Sequence, residues 1–222
     1  MPDPATWPVR LVDDDLVLRG LRRRDRRRWQ ALLGANHEWL SPWMAGSPAP
    51  GRTMGVGEQI VAHRRAARAG DALPFVVEVA GELVGAVTAQ PITRGSSWSA
   101  SIGYWVSRHV AGRGVAPRAV ALVADHLVDE LGMHRVEIDV RPENDASLRV
   151  VAKLGFPEEG RRRGLMFVDG DWRDHRSFAL LAGDLGPGPG AVLRHVHRGG
   201  SGPATGPAPP RGSGTGPEVV GA

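Results

Sequence analysis

Gly112 and Gly114 lie one residue apart in the stretch Val110-Ala-Gly-Arg-Gly-Val-Ala116, between a β-branched apolar segment and a long helical one. Glycine at both positions lets backbone N–H groups approach a ligand closely. The helix that follows adds the positive end of its dipole, so the turn suits a phosphate or pyrophosphate. Two nucleotide loops do not fit. A P-loop needs Gly-Lys-Ser/Thr before the helix, where this chain has Gly114-Val115-Ala116. A dinucleotide fingerprint needs a third Gly or Ala three residues after the second, where this chain has Pro117. On spacing alone, a plain strand-to-helix turn stays open as the alternative. The chain has no cysteine, which excludes disulfides, thiolate metal sites and cysteine nucleophiles. Its eight histidines are scattered, and His195 and His197 lack a third ligand nearby, so no metal is expected.

The elements that must position this turn follow from the hydrophobic pattern. Leu16 to Leu21 reads as a strand, with Leu16 and Leu18 on one face and Val17 and Arg19 on the other. A basic run, Arg22 to Arg28, is broken by Asp25, a candidate N-cap for a helix through Trp29, Leu32 and Leu33. Asn36 to Trp43 (NHEWLSPW) carries two tryptophans, and 55–69 reads as a second amphipathic helix. Phe75 to Val79 and Leu83 to Ala89 form a hairpin about Gly81-Glu82, followed by a third strand from Trp98 to Val106. Beyond the glycine turn come a helix from about Pro117 to Leu131, a strand from Arg135 to Val140 and a short helix from Ala146 to Leu154. Two β segments close the pattern, around 165–168 and 177–181. A meander followed by a β-α-β-α-β half predicts a mixed α/β sheet.

With 222 residues, 41% hydrophobic and 23% charged, the chain is long enough for one domain with a real core. Residues 186–222 hold 11 of the 30 glycines and 7 of the 18 prolines, a composition that cannot bury enough apolar surface to offset ordering entropy. The expected division is therefore a folded domain over 1–185 and a disordered tail over 186–222. Arg194, Arg198 and Arg211 against Glu218 put half of the formal +4 charge in that tail. Nucleic acid is not an expected partner of the domain. No apolar run approaches the ~18 residues of a membrane span, and no signal-peptide pattern opens the chain, so a cytoplasmic protein with no membrane partner is expected.

Downstream of the turn, Arg141-Pro-Glu-Asn-Asp-Ala-Ser147 leads into Leu148-Arg-Val-Val-Ala-Lys-Leu-Gly-Phe156. Together with the glycine turn this resembles the GCN5-related N-acetyltransferase (GNAT) superfamily, whose pattern Gln/Arg-x-x-Gly-x-Gly/Ala corresponds here to His109-Val-Ala-Gly-Arg-Gly114. His109 replaces the usual Gln or Arg, and Arg113 or Arg108 could supply the charge. Within the superfamily the chain is similar to the RimJ/RimL-like branch, the ribosomal-protein-alanine N-acetyltransferases. That similarity rests on Leu16-Val-Leu-Arg-Gly-Leu21, Glu38-Trp-Leu-Ser-Pro-Trp43, Ile102-Gly-Tyr-Trp-Val106, Asn144-Asp-Ala-Ser147, Leu154-Gly-Phe156, Trp172-Arg-Asp-His175 and Phe178-Ala-Leu180, over about residues 10–185.

The resemblance implies an acyl-CoA N-acyltransferase fold with a central, splayed, mostly antiparallel sheet flanked by helices. It implies acetyl-CoA as co-substrate and a protein N-terminus, such as that of a ribosomal protein, as acceptor. A small amine and a catalytically silent CoA-binding module are the alternatives, and the chain would work as a monomer or homodimer. Backbone groups at Trp105 and Val106 would hold the pantetheine amides, and the amides of Ala111, Gly112, Arg113, Gly114, Val115 and Ala116 the pyrophosphate. Asn144 would hydrogen-bond the cofactor or cap the following helix. Ser147, matching the serine that protonates the departing sulfur in that branch, is the catalytic candidate or an ordinary polar residue of a first helical turn. Trp39 and Trp43 would wall the acceptor side or pack in the core. Relatives carry an acid where this chain has Met166, so the proton acceptor falls to Glu159, Asp169, Asp174 or His175, or to a water chain, with Asp174-His175 also readable as structural. Without a cysteine, no cysteine acyl-enzyme can form and transfer would be direct.

Overall fold

The computed structural model describes residues 7–49, 51 and 54–200. Strands β1 (Arg10–Asp13), β2 (Leu16–Arg19), β3 (Leu73–Val79), β4 (Glu82–Thr93), β5 (Ser99–Val106), β6 (Arg135–Val140), β7 (Glu158–Val168) and β8 (Asp171–Leu181) form one sheet. Their order is β1-β2-β3-β4-β5-β6-β8-β7, and only the β5–β6 pair is parallel. Helices α1 (Arg26–Ala35), α2 (His37–Leu40), α3 (Val56–Ala69), α4 (Val115–Asp125), α5 (Asp145–Leu154) and α6 (Ala191–His197) flank it. This is the mixed, mostly antiparallel class that the strand pattern predicts. Among the described residues no helix is long and apolar enough to cross a membrane.

The two sheet faces bury different helices. On one, Ala119, Val120, Val123 and Ala124 of α4 are wholly buried against Leu16, Leu18, Val77, Val136 and Ile138. Small and β-branched residues on this face of α4 let the helix approach the sheet closely. On the other, Trp29 of α1 and Val56 and Ile60 of α3 pack on Val76 and Leu83, with Trp105 at the margin.

Several local expectations are corrected. Asp25 precedes α1 but does not cap it with its side chain. Its carboxylate is taken by the buried Arg19 guanidinium (2.6 and 3.0 Å) and the Arg22 N–H (2.9 Å), while Glu78 holds the other side of Arg19. The last two strands are longer than their apolar ends suggest. The polar stretch Glu158 to Gly164 joins β7 because Arg176 pairs with Glu158 and Arg161 with Asp174 across the hairpin. The long helix begins at Val115 and turns from α to π geometry over His126–Glu130.

The domain end expected at Leu185 falls too early. Residues 191–197 form α6, with Val192 buried against α4, and both Asp125 oxygens accept the helix's free N–H groups, from Val192 and Leu193, at 2.9 Å. Composition averaged over 37 residues hid these roughly two amphipathic turns. The expected disorder of 201–222 lies outside the described residues.

Candidate active site

Strands β5 and β6 pair only from Ser99 to Ser101 against Arg135 to Glu137. Beyond that, β5 stays with β4 as far as Val106 and β6 with β8 as far as Val140, so a wedge opens between two strands that each keep one free edge. Register decides which groups face it. The Ser107 N–H donates to the Val84 carbonyl at 2.7 Å, which makes Val84/Ser107 and Ala86/Trp105 the hydrogen-bonded pairs of the β4–β5 ladder. The backbone of Trp105 is thus committed to β4, and its carbonyl lies so close to Gly85 that a Cβ there would approach to 2.3 Å. Tyr104 and Val106 present their backbones to the wedge. Contrary to expectation, the backbone of Trp105 does not face the wedge, and Trp105 offers it only its indole, tilted 42° against Trp29 at 5.5 Å.

The glycine turn closes one end of the wedge. Gly112 and Gly114 both have left-handed backbone, φ +78° and +79°, a conformation glycine adopts without a Cβ penalty. Of the six amides expected to point at phosphate, those of Ala111 and Arg113 are already bonded inside the turn, to Arg108 and Val110. Among the described residues the amides of Gly112, Gly114, Val115 and Ala116 have no backbone acceptor, the last three because they open α4. The Arg113 side chain is exposed and does not line the wedge. Arg149 and Lys153, one turn apart on α5, do line it. Sequence reasoning passed over them, although their i, i+4 spacing on an amphipathic helix was the available signal.

Asn36 fixes the approach to the turn. Its buried Oδ1 accepts from the Ser107 hydroxyl and the Arg108 N–H, each at 2.9 Å, and its Nδ2 donates to the Leu32 carbonyl at 2.8 Å. His109 turns away toward Ser107 and Glu82.

Across the wedge, Asn144 caps α5: its Oδ1 accepts the Ser147 N–H at 3.1 Å. The cap reading of Asn144 holds, and because the cap uses Oδ1 it leaves the carboxamide N–H groups without a partner among the described residues. The Tyr104 hydroxyl donates to the Ser147 carbonyl at 3.3 Å, tying β5 to α5, and burial pushes its pKa up to about 12.

Two cavities meet here. One, about 480 Å³, runs from the glycine turn along α5. The other, about 670 Å³, opens on the opposite side, between β5, β6 and β8. Trp43, Tyr104, Trp105, Asn144 and Ser147 line both. Trp43 lines the second cavity as well, with the Arg141 guanidinium over its ring at 5.3 Å. Trp39, expected beside it, lines only the first, because its indole N–H donates to the Val106 carbonyl at 3.2 Å. The Arg141 guanidinium donates to the Pro42 carbonyl at 2.7 Å, so the α2 segment straps across the open ends of β5 and β6.

The structure separates the acid and base candidates. Glu159 is held by Arg135, and Asp174 by Arg161 and the Gly164 N–H. Asp169 is exposed in the β7–β8 turn. Only His175 of the four lines the second cavity, together with Met166, Asp139 and His63. Burial holds the His63 pKa below the usual imidazole range.

A family model described as Acetyltransferase (GNAT) domain matches residues 15–157. Over 102 residues the chain is 40% identical to the probable N-acetyltransferase YjcK of Bacillus subtilis, a match covering 46% of this chain and 56% of that protein. It is 28% identical to the [ribosomal protein uS5]-alanine N-acetyltransferase of Escherichia coli over 81% of this chain and 94% of that one. The solved structure of Mycobacterium smegmatis RimJ in complex with CoA-disulfide superposes with a TM-score of 0.77 at 36% identity, covering 89% of this chain and 98% of that one.

Proposed function

Because the chain belongs to the acetyltransferase (GNAT) family, we propose that it moves the acetyl group of acetyl-CoA directly to a primary amine, the N-terminal α-amine of a ribosomal or other protein beginning with Ala or Ser. The observation that carries this reading is the pair of cavities joined at Ser147, one beside a phosphate-competent turn and one beside an otherwise unassigned set of side chains.

Acetyl-CoA fits the first cavity by its chemistry. Four unbonded amides, at Gly112, Gly114, Val115 and Ala116, take the pyrophosphate at the head of α4, and Arg149 and Lys153 add positive charge. The free edge of β5 at Tyr104 and Val106 meets the pantetheine arm as a missing strand would, and Asn144 donates from the other side. When bound, the thioester supplies the activated acetyl group. The Ser147 side chain, on the first turn of α5, stands where that group passes from one cavity to the other and gives its hydroxyl proton to the sulfur that leaves.

The second cavity favours a peptide end over a polyamine. Its charged lining is one carboxylate, Asp139, engaged by the Ser177 hydroxyl and lying 3.5 Å from Arg162, and one arginine, Arg141. That set carries no surplus negative charge for a polycation, while free strand edges and Trp43 suit a short extended segment.

The test is an acceptor panel assayed with acetyl-CoA: peptides beginning Ala or Ser against spermidine and other small amines. Turnover of the peptides, lost by about 100-fold in Ser147→Ala with CoA affinity retained, is the expected result. Turnover confined to small amines would overturn the acceptor assignment.

A further inference from the structure

Position 166, where an acid is expected from the resemblance, carries methionine, and Met166 indeed faces the acceptor cavity. The side chain that removes the amine's proton must come from elsewhere in that wall. Among the described residues five titratable groups line it: His63, Tyr104, Asp139, Arg141 and His175, and the Tyr104 hydroxyl is spent on the Ser147 carbonyl. Arg141 is a permanent cation. Asp139 is occupied by the Ser177 hydroxyl and Arg162. His63, on α3, makes no hydrogen bond that fixes its ring.

His175 differs from all of these. It is 4% exposed, on β8, one strand from the wedge. Its Nδ1 lies 3.0 Å from the Arg173 carbonyl, which can only accept, so the Nδ1 nitrogen carries the proton. That leaves Nε2 as a lone pair with no partner among the described residues, on a ring locked by packing and bordering the cavity that Ser147 shares. A buried imidazole held in one tautomer, its second nitrogen unpaired, in the wall of a ligand cavity is the arrangement a general base requires.

Resting on the acetyl-transfer reading above, we propose that Nε2 of His175 is the general base that takes the proton from the acceptor amine. As the N–C bond forms, the N–H proton passes to Nε2. As the C–S bond breaks, the Ser147 hydroxyl proton passes to sulfur. The imidazolium then returns its proton through cavity water to the Ser147 oxygen, and no net proton is retained. Asp139, one residue before the end of β6, places negative charge in the same wall to favour the transient imidazolium. Arg141 just past the end of β6, Arg162 opposite His175 on β7 and His63 on α3 oppose it, and Tyr104 on β5 is the remaining titratable group of that wall among the described residues.

His175→Gln tests this with little change in packing. It should lower kcat near neutral pH about 100-fold, with the KM for acetyl-CoA and the melting temperature unchanged, and the deficit should shrink at alkaline pH where the amine is already neutral. The acid limb of the wild-type kcat profile should disappear, and Met166→Glu in the His175→Gln background should restore one. A His175→Gln enzyme within threefold of wild type, with the wild-type pH profile, would overturn the assignment. Nitrogen-15 NMR of the imidazole gives a readout independent of any acceptor: the neutral ring is expected as the tautomer with Nδ1 protonated and Nε2 bare. A proton on Nε2 would overturn the proposal. A wild-type enzyme that acetylates no amine would instead defeat the transfer reading, with the NMR result still deciding the state of His175.

Discussion

Replacing Asn36 with alanine separates the glycine turn from the helix that steadies it, and the structure sets the size of the effect. The carboxamide makes three hydrogen bonds, but truncation does not strand three groups. The Ser107 hydroxyl keeps His109 Nδ1 at 2.9 Å, and the Leu32 carbonyl keeps the Asn36 N–H at 3.2 Å. Only the Arg108 N–H loses its partner. A single stranded, partly buried donor costs about 1–3 kcal/mol, so Asn36→Ala should destabilise by roughly 2 kcal/mol. In a chain of this length that lowers Tm by roughly 4–8 °C. The functional consequence lies on the same link. Arg108 opens the turn that carries Gly112 and Gly114, so the KM for acetyl-CoA should rise several-fold while kcat at saturation holds. Urea denaturation and steady-state kinetics on one preparation measure both. A stability loss under about 0.5 kcal/mol with unchanged KM would refute the clamp, and a fall in kcat alone would place Asn36 in the wrong part of the site.

Three further outcomes follow from particular contacts. Gly114→Val forces a β-branched residue into left-handed backbone at φ +79°, costing about 1–2 kcal/mol and weakening CoA binding at least tenfold by calorimetry, although a Cβ there meets no other atom within 4 Å. Asp125→Ala removes the acceptor of the Val192 and Leu193 N–H groups. It should cost about 1–2 kcal/mol, seen as faster hydrogen exchange confined to residues 191–197. Burial lowers the pKa of His63 and His126, so the unfolded chain takes up protons near its ordinary ~6.5 before the folded one does. Their contribution to stability is complete above that pH and is lost as pH falls below it. Urea midpoints should drop between pH 7.5 and 5.5, less steeply in His126→Gln.

Strands with alternating or continuous apolar patterns were legible from sequence, and β6 matches residue for residue because its burial alternates strictly. So were the glycine turn and the Asn144–Ser147 cap, since both rest on short-range rules: left-handed glycine before a helix and a side-chain oxygen three residues ahead of an N–H. What sequence did not disclose depends on partners far along the chain. The first half of β7 is polar and exposed and is held by cross-strand ion pairs. The four residues of β1 pair only with β2. Helix α6 needed the carboxylate of Asp125, 67 residues away. Trp105 lines both cavities, but which way its backbone faces is a property of ladder parity, set by the Val84–Ser107 bond. Sequence could not separate the four candidate proton acceptors, because what distinguishes them is tertiary: Glu159 and Asp174 are taken by ion pairs, Asp169 is exposed in a turn, and His175 lines the cavity.

The central claim is direct transfer between two cavities that are filled together, and two-substrate initial-rate kinetics with acetyl-CoA and an Ala-initiated peptide test it most directly. Double-reciprocal lines that intersect, with acetylation confined to the peptide's α-amine, are the predicted result. Parallel lines, which signal an acetylated enzyme released before the acceptor binds, would contradict it.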